Sequence, residues 1–192
     1  RRIMYNTLKK IIALAMTSLL LFNMGITSLA NVKNNENLHL TFDLNEDNLN
    51  TPKTITRTLD NGITETITIT PPAMTRSEVA SEGSWTTEGH WNFMGVEVCR
   101  LTYMFDLVKS GNQWTIENAR NLTYEGTFVN VRNKQLSIGR ATSTPTLAAN
   151  VSGQADVTIL ENQWITVGNA TPTVTTNVFN GQVDIALSGM PN

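Results

Sequence analysis

Residues equipped for chemistry are few in this 192-residue chain, and their spacing does not assemble a familiar site. The two histidines, His39 and His90, stand far apart, and neither forms the His-x-x-x-His pair that holds zinc on one helix face; Cys99 has no partner cysteine. A Ser-His-Asp triad needs no proximity in sequence, but no Gly-x-Ser-x-Gly elbow is present to lift a serine nucleophile. Cys99 itself would need an exposed, electropositive setting to react. It alternates with Leu101, Tyr103 and Phe105, which predicts an inert core thiol. The 16 carboxylates are enough to supply a glycosidase pair, yet no spacing singles out two of them. The expectation is a protein without catalytic residues and without a cofactor.

Two binding chemistries are worth placing. Asp43, Asn45 and Asp47 reproduce the first half of a loop in which alternate side-chain oxygens wrap calcium. The pattern then fails, with Asn48 where glycine belongs and Thr54 where a bidentate glutamate belongs, so a solvated acidic loop is expected and no metal is assigned. Secreted β-proteins also bind sugars on exposed aromatic rings. Trp114 alternates with Ile116, and Trp85 shares parity with Trp91 and Phe93, which makes these core residues. Trp164 is different: Ile165 and Val167 claim the apolar face, leaving the indole on the other side as the one expected ligand contact. Asn121-Leu122-Thr123 and Asn150-Val151-Ser152 match the short glycosylation acceptor pattern.

The elements that must carry these residues read as strands. Leu38, Leu40, Phe42 and Leu44 alternate with polar residues. The segment Thr54 to Thr70 is a hairpin whose register can be checked. A two-residue Asn61-Gly62 loop would oppose Leu59 to Thr64 and Ile55 to Thr68. A three-residue Asp60-Asn61-Gly62 loop opposes Leu59 to Ile63, Arg57 to Glu65 and Ile55 to Ile67, matching every pair, so it predicts a type I turn with Gly62 left-handed. Thr54, Thr56, Thr58, Thr64, Thr66 and Thr68 then share the wetter face. The same test on the last hairpin selects a two-residue Asn180-Gly181 type I′ turn, opposing Val178 to Val183 and Val174 to Leu187. Between them, Pro71-Pro72 ends the first unit, and Ala73 to Gly83 reads as a loop or short helical turn. Further expected strands are Cys99 to Leu107, Trp114 to Ile116, Leu122 to Val131, Gln135 to Ala141, Thr146 to Val151, Gln154 to Leu160 and Gln163 to Gly168. No stretch has a helical period. The fold expected is all-β, an antiparallel β-sandwich, with a closed lipocalin-like β-barrel as the alternative.

Residues 1–30 do not read as part of that fold. Lys9-Lys10, the apolar run through Phe22 and the small residues Ser28 and Ala30 describe a secretory signal peptide, with translation starting at Met4 and cleavage after Ala30. Residues 31–37 are a polar, flexible lead-in, and 38–192 a single all-β domain. All 16 acids but only ten of the 14 bases follow residue 30, so the 162 residues from Asn31 carry a formal charge of −6. That excludes the basic face a nucleic-acid protein needs. After Ala30 nothing approaches the roughly 20 apolar residues of a membrane helix. With one cysteine there is no intramolecular disulfide, and the core must supply the stability. Threonine fills 25 and asparagine 20 of those 162 positions, a bias toward strands and turns.

Leu40-Thr41-Phe42-Asp43-Leu44, the stretch Ile55-Thr56-Arg57-Thr58-Leu59-Asp60-Asn61-Gly62, and Thr66-Ile67-Thr68-Ile69-Thr70-Pro71 resemble the opening of a domain-of-unknown-function family of small secreted Gram-positive bacterial proteins. Trp85, the strand Leu101 to Leu107 and the closing Asn180-Gly181 hairpin are compatible with the second part of that family. The resemblance implies an extracellular all-β domain and supplies no catalytic or ligand residues. The function expected is therefore a secreted, non-catalytic domain binding a glycan or a protein at the cell surface. The alternatives are a barrel carrying a small apolar ligand and a carboxylate-dependent hydrolase.

Overall fold

A computed structural model describes residues 37–45, 49–73, 82–127, 129–159 and 169–189. The expected signal peptide, nearly all of the lead-in, Asp47 and the expected Gln163 to Gly168 strand with Trp164 lie outside the described residues. Those described form strands: β1 (Leu38–Asp43), β2 (Lys53–Thr58), β3 (Ile63–Thr70), β4 (Gly83–Phe93), β5 (Val96–Ser110), β6 (Gln113–Glu125), β7 (Val129–Arg140), β8 (Ala149–Ile159), β9 (Asn169–Ala170), β10 (Thr173–Phe179) and β11 (Gln182–Ser188). They make two antiparallel sheets, one a meander in the order β2-β3-β4-β5-β6, the other in the order β1-β11-β10-β8-β7 with β9 beside β8. This is the expected all-β sandwich; the sheets do not close into the alternative barrel.

Alternation dictates the packing. Leu38, Leu40 and Phe42 from β1, Ile67 and Ile69 from β3, Trp85 and Trp91 from β4, Leu101, Tyr103, Phe105 and Leu107 from β5, and Val183, Ile185 and Leu187 from β11 are all buried between the sheets. Phe42 meets Trp85 edge-on with centroids 5.3 Å apart, and Trp85 stacks on Phe105. Two glycines let the sheets approach. A Cβ on Gly89 would fall 2.5 Å from Val174 Cγ2 and 2.7 Å from Leu187 Cδ2, and one on Gly153 would fall 2.8 Å from the Tyr103 ring. A layer filled this closely at these points is the reverse of a ligand-carrying lumen. Polar groups crossing it are paired: the Tyr103 hydroxyl and Thr176 Oγ1 are 2.7 Å apart, and the Tyr124 hydroxyl donates to Pro172 O at 2.6 Å. At one lateral seam Lys53 Nζ of β2 donates to Thr41 O of β1 at 2.7 Å, occupying a carbonyl on an edge strand.

Both hairpin registers hold. Ile55 opposes Ile67 and Arg57 opposes Glu65; Leu59 N donates to Ile63 O at 2.7 Å, and Gly62 has φ +83°. Val178 opposes Val183, with Asn180 and Gly181 both left-handed, at φ 49° and 77°. The middle of the chain departs from expectation. Leu122 to Val131 is not one strand: β6 ends at Glu125, and the chain passes to the other sheet before β7 begins at Val129. Gly126 permits that crossing, since a Cβ there would lie 2.3 Å from Val98 O. The gap expected before Gln135 is a bulge inside β7, with Asn133 at φ 48°. The gap expected before Gln154 is the interior of β8, where Gly153 makes room for Tyr103 instead of turning the chain.

Candidate functional site

The sandwich turns one unusual surface outward, the outer face of the five-stranded sheet. On β2 and β3 it consists of threonines paired rung by rung: Thr54 with Thr68 (3.0 Å between hydroxyl oxygens), Thr56 with Thr66 (3.0 Å) and Thr58 with Thr64 (3.2 Å). A β-branched side chain suits the pleat, and directly opposed hydroxyls satisfy each other without a charge. The β3–β4 register continues these rows, placing His90 beside Thr66 and Glu88 beside Thr68; on β5 they reach Arg100 and Thr102. Four aromatic rings of this sheet, Trp85, Trp91, Tyr103 and Phe105, are turned fully inward.

Two charged clusters stand on this face. Near one end of β4, Ser84 Oγ donates to Asp106 Oδ1 at 2.6 Å, and Arg120 donates to Asp106 Oδ2 and, at 2.8 Å, to Ser84 Oγ. The Arg120 hydrogen bond, helped by Ser84, holds the Asp106 carboxyl below its ordinary value of 3.8 against the opposing effect of burial. A general acid needs the opposite shift, so Asp106 is unsuited to that half of a glycosidase pair. Since the folded carboxyl ionises more readily than the unfolded one, its contribution to stability is present above pH 3.8 and disappears as pH falls through its lower folded value. Asp106→Asn is expected to be less stable than the parent near neutrality, with the two denaturation midpoints converging below about pH 3.8.

The second cluster is built by a bulge. The β4–β5 register shifts between Trp91 and Asn92, where Trp91 opposes Cys99 but Asn92 opposes Glu97. Val98 and Cys99 are consequently both buried, and Glu97 and Arg100 emerge outward beside His90. Arg100 Nη2 donates to Glu97 Oε2 at 2.6 Å, while His90 Nε2 lies 2.9 Å from the same oxygen without the alignment of a hydrogen bond. The crossover to β7 clamps the bulge, with Thr127 N donating to Glu97 O at 3.3 Å.

The remaining expected residues fall elsewhere. Cys99 is fully buried; burial, and then the Glu97 carboxylate, push its thiol up to about 12. Its folded value exceeds its unfolded one, so this contribution to stability is complete below pH 9.0 and is lost as pH rises towards 12. The native protein is expected to leave an aromatic disulfide reagent unreduced at pH 8 and to release one equivalent of thiolate in urea; native-state reaction at the rate of a free thiol would contradict the packing. His39 lies on β1 in the opposite sheet, its Nδ1 3.4 Å from Asp184 Oδ2 across β11, so the two histidines belong to different surfaces. Asp43 Oδ1 accepts the backbone N–H of Asn45 at 2.8 Å, which makes a local turn at the end of β1. Among the described residues no group of three or more His, Cys, Asp and Glu side chains is placed to hold a metal. Glu97, Arg100 and His90 do not stand out as a group in the sequence. The available signal was a phase change: apolar positions run even at Val96 and Val98, then odd from Cys99 onward.

No family model matches the chain, and no curated protein matches it. Among solved structures it is similar to the hypothetical protein lmo2686 from Listeria monocytogenes EGD-e, with 17% sequence identity and a TM-score of 0.36, over 74% of this chain and 99% of that one.

Proposed function

We propose that this chain is a secreted, non-catalytic binding domain, and that the outer face of its five-stranded sheet docks an extracellular glycan or protein. The observation that carries this reading is the makeup of that face, where three rungs of paired threonine hydroxyls adjoin a cluster of Glu97, His90 and Arg100. A surface required only to stay in solution does so with scattered charges; ordered, mutually paired hydroxyls form a pre-set hydrogen-bonding surface. Export is supported by the signal-peptide pattern ending at Ala30, and the −6 charge disfavours nucleic acid and anionic membranes. The enzymatic alternative draws no support from Cys99, held as the protonated thiol, or from Asp106 as a general acid, since its carboxyl is held ionised.

Co-sedimentation with purified Gram-positive cell walls, with and without their surface proteins, tests the reading. Binding is expected, and Thr56→Lys with Thr66→Lys is expected to abolish it while Thr175→Lys, on the other sheet, leaves it intact. No binding to either preparation, or equal binding by all variants, would overturn it.

A further inference from the structure

We propose that the Glu97–His90–Arg100 cluster, with the threonine rungs beside it, recognises the vicinal hydroxyls of a neutral saccharide chain. This rests on the binding reading above and narrows it to one ligand chemistry.

The cluster has the makings of a site because the backbone is reshaped to build it. Without the bulge at Val98, Glu97 would share the inward parity of Cys99 and Arg100 would stand without its carboxylate. With the bulge, residues three apart in sequence meet on one spot. Glu97 Oε2 takes both contacts, from Arg100 Nη2 at 2.6 Å and His90 Nε2 at 2.9 Å. Arg100 Nε and His90 Nε2 are buried without an aligned acceptor, so it is the part-exposed Glu97 and Arg100 side chains, 28% and 37% exposed, that can meet a ligand.

The chemistry of the ligand follows from what the face offers. An anion wants donors alone, and here Glu88 and Glu97 lie beside Arg100, with Glu125 opposite it on β6. An ammonium group wants acceptors alone, and Arg100 and the threonine hydroxyls are donors as well. Each Thr–Thr pair spends one hydroxyl proton internally and presents the other proton and spare lone pairs outward. A surface that both donates and accepts is matched by groups that do the same, which are hydroxyls. A carboxylate oxygen and a guanidinium side by side suit two adjacent hydroxyls, one donating to Glu97 and one accepting from Arg100. The register sets the footprint: Thr56, Thr66, His90 and Arg100 lie in one row across four strands spaced about 4.8 Å apart, so the site is a strip across the sheet and suits a chain. With four rings of the sheet turned inward, a stacking platform is lacking along this row. Exchanging water for sugar hydroxyls gains little per contact, so affinity accumulates over repeats and polymers bind where monosaccharides do not.

Affinity electrophoresis of the full protein through gels containing neutral polysaccharides (a β-glucan, a mannan, a galactan), the anionic polygalacturonate or the cationic chitosan provides the test. Retardation by at least one neutral polymer is expected. Glu97→Gln is expected to weaken it about ten-fold or more. Thr56→Val with Thr66→Val, which keeps the side-chain shape, is expected to weaken it severalfold, while Asp184→Asn on the opposite sheet has no effect. Retardation confined to the charged polymers, or equal retardation of all variants, overturns the proposal. Cell-wall binding without retardation by any polysaccharide overturns it too, while leaving the broader binding reading in place. Thermal unfolding of each variant separates loss of contact from loss of fold.

Discussion

Glu65→Ala is expected to destabilise the protein by about 3–5 kcal/mol, measured as a lowered urea midpoint at unchanged slope. Arg57 and Glu65 face inward with the isoleucines, their side chains only 8% and 4% exposed. Glu65 Oε2 accepts from Arg57 Nε at 2.9 Å and Nη2 at 2.6 Å, and Oε1 accepts from the Trp91 indole at 3.2 Å. Truncating Glu65 leaves a buried guanidinium without this carboxylate and a buried indole N–H without its acceptor, which costs far more than the pair contributes over apolar residues. The double variant Arg57→Met with Glu65→Leu is therefore expected to recover most of the loss. A single variant within 1 kcal/mol of the parent would show that solvent reaches the pair.

Gly89→Ala is the second large effect, expected at about 1–3 kcal/mol from overpacking. Glycine in the interior of a strand ordinarily weakens it, and alanine there would normally help. Here the added methyl would sit 2.5 Å from Val174 and 2.7 Å from Leu187 on the facing sheet, closer than carbon atoms pack. The sign of the change is thus a direct reading of how near the two sheets lie. A stabilised variant would mean that a gap separates them, and would revive an interior ligand.

These two sites also show how far the sequence was legible. Arg57 opposite Glu65 emerged from register alone, because only the three-residue loop matched every pair on both faces. That the pair lies inward followed from its parity with Ile55 and Ile67, although charge would ordinarily argue for solvent. The hairpins were readable because each is closed by its own turn. Features set by distant neighbours were not. Gly153 and Asn133 look like turn residues, yet one makes room for a ring from the other sheet and the other forms a bulge within a strand. Gly126 sits mid-run between Leu122 and Val131, and nothing local reveals that the chain changes sheets there. The same holds for the candidate site: Arg100 opposes His90 in the regular register, but Glu97 joins them only through the bulge, whereas the threonine face was visible as simple alternation.

Backbone amide chemical-shift mapping provides the sharpest test of whether the outer face of the five-stranded sheet is the binding surface. Solubilised Gram-positive cell-wall polysaccharide would be titrated into isotope-labelled protein. The largest shifts are predicted at Thr54, Thr56, Thr66, Thr68, Glu88, His90, Glu97, Arg100 and Thr102. Shifts confined to β1, β10 and β11 of the opposite sheet, or the absence of any shift, would contradict the assignment.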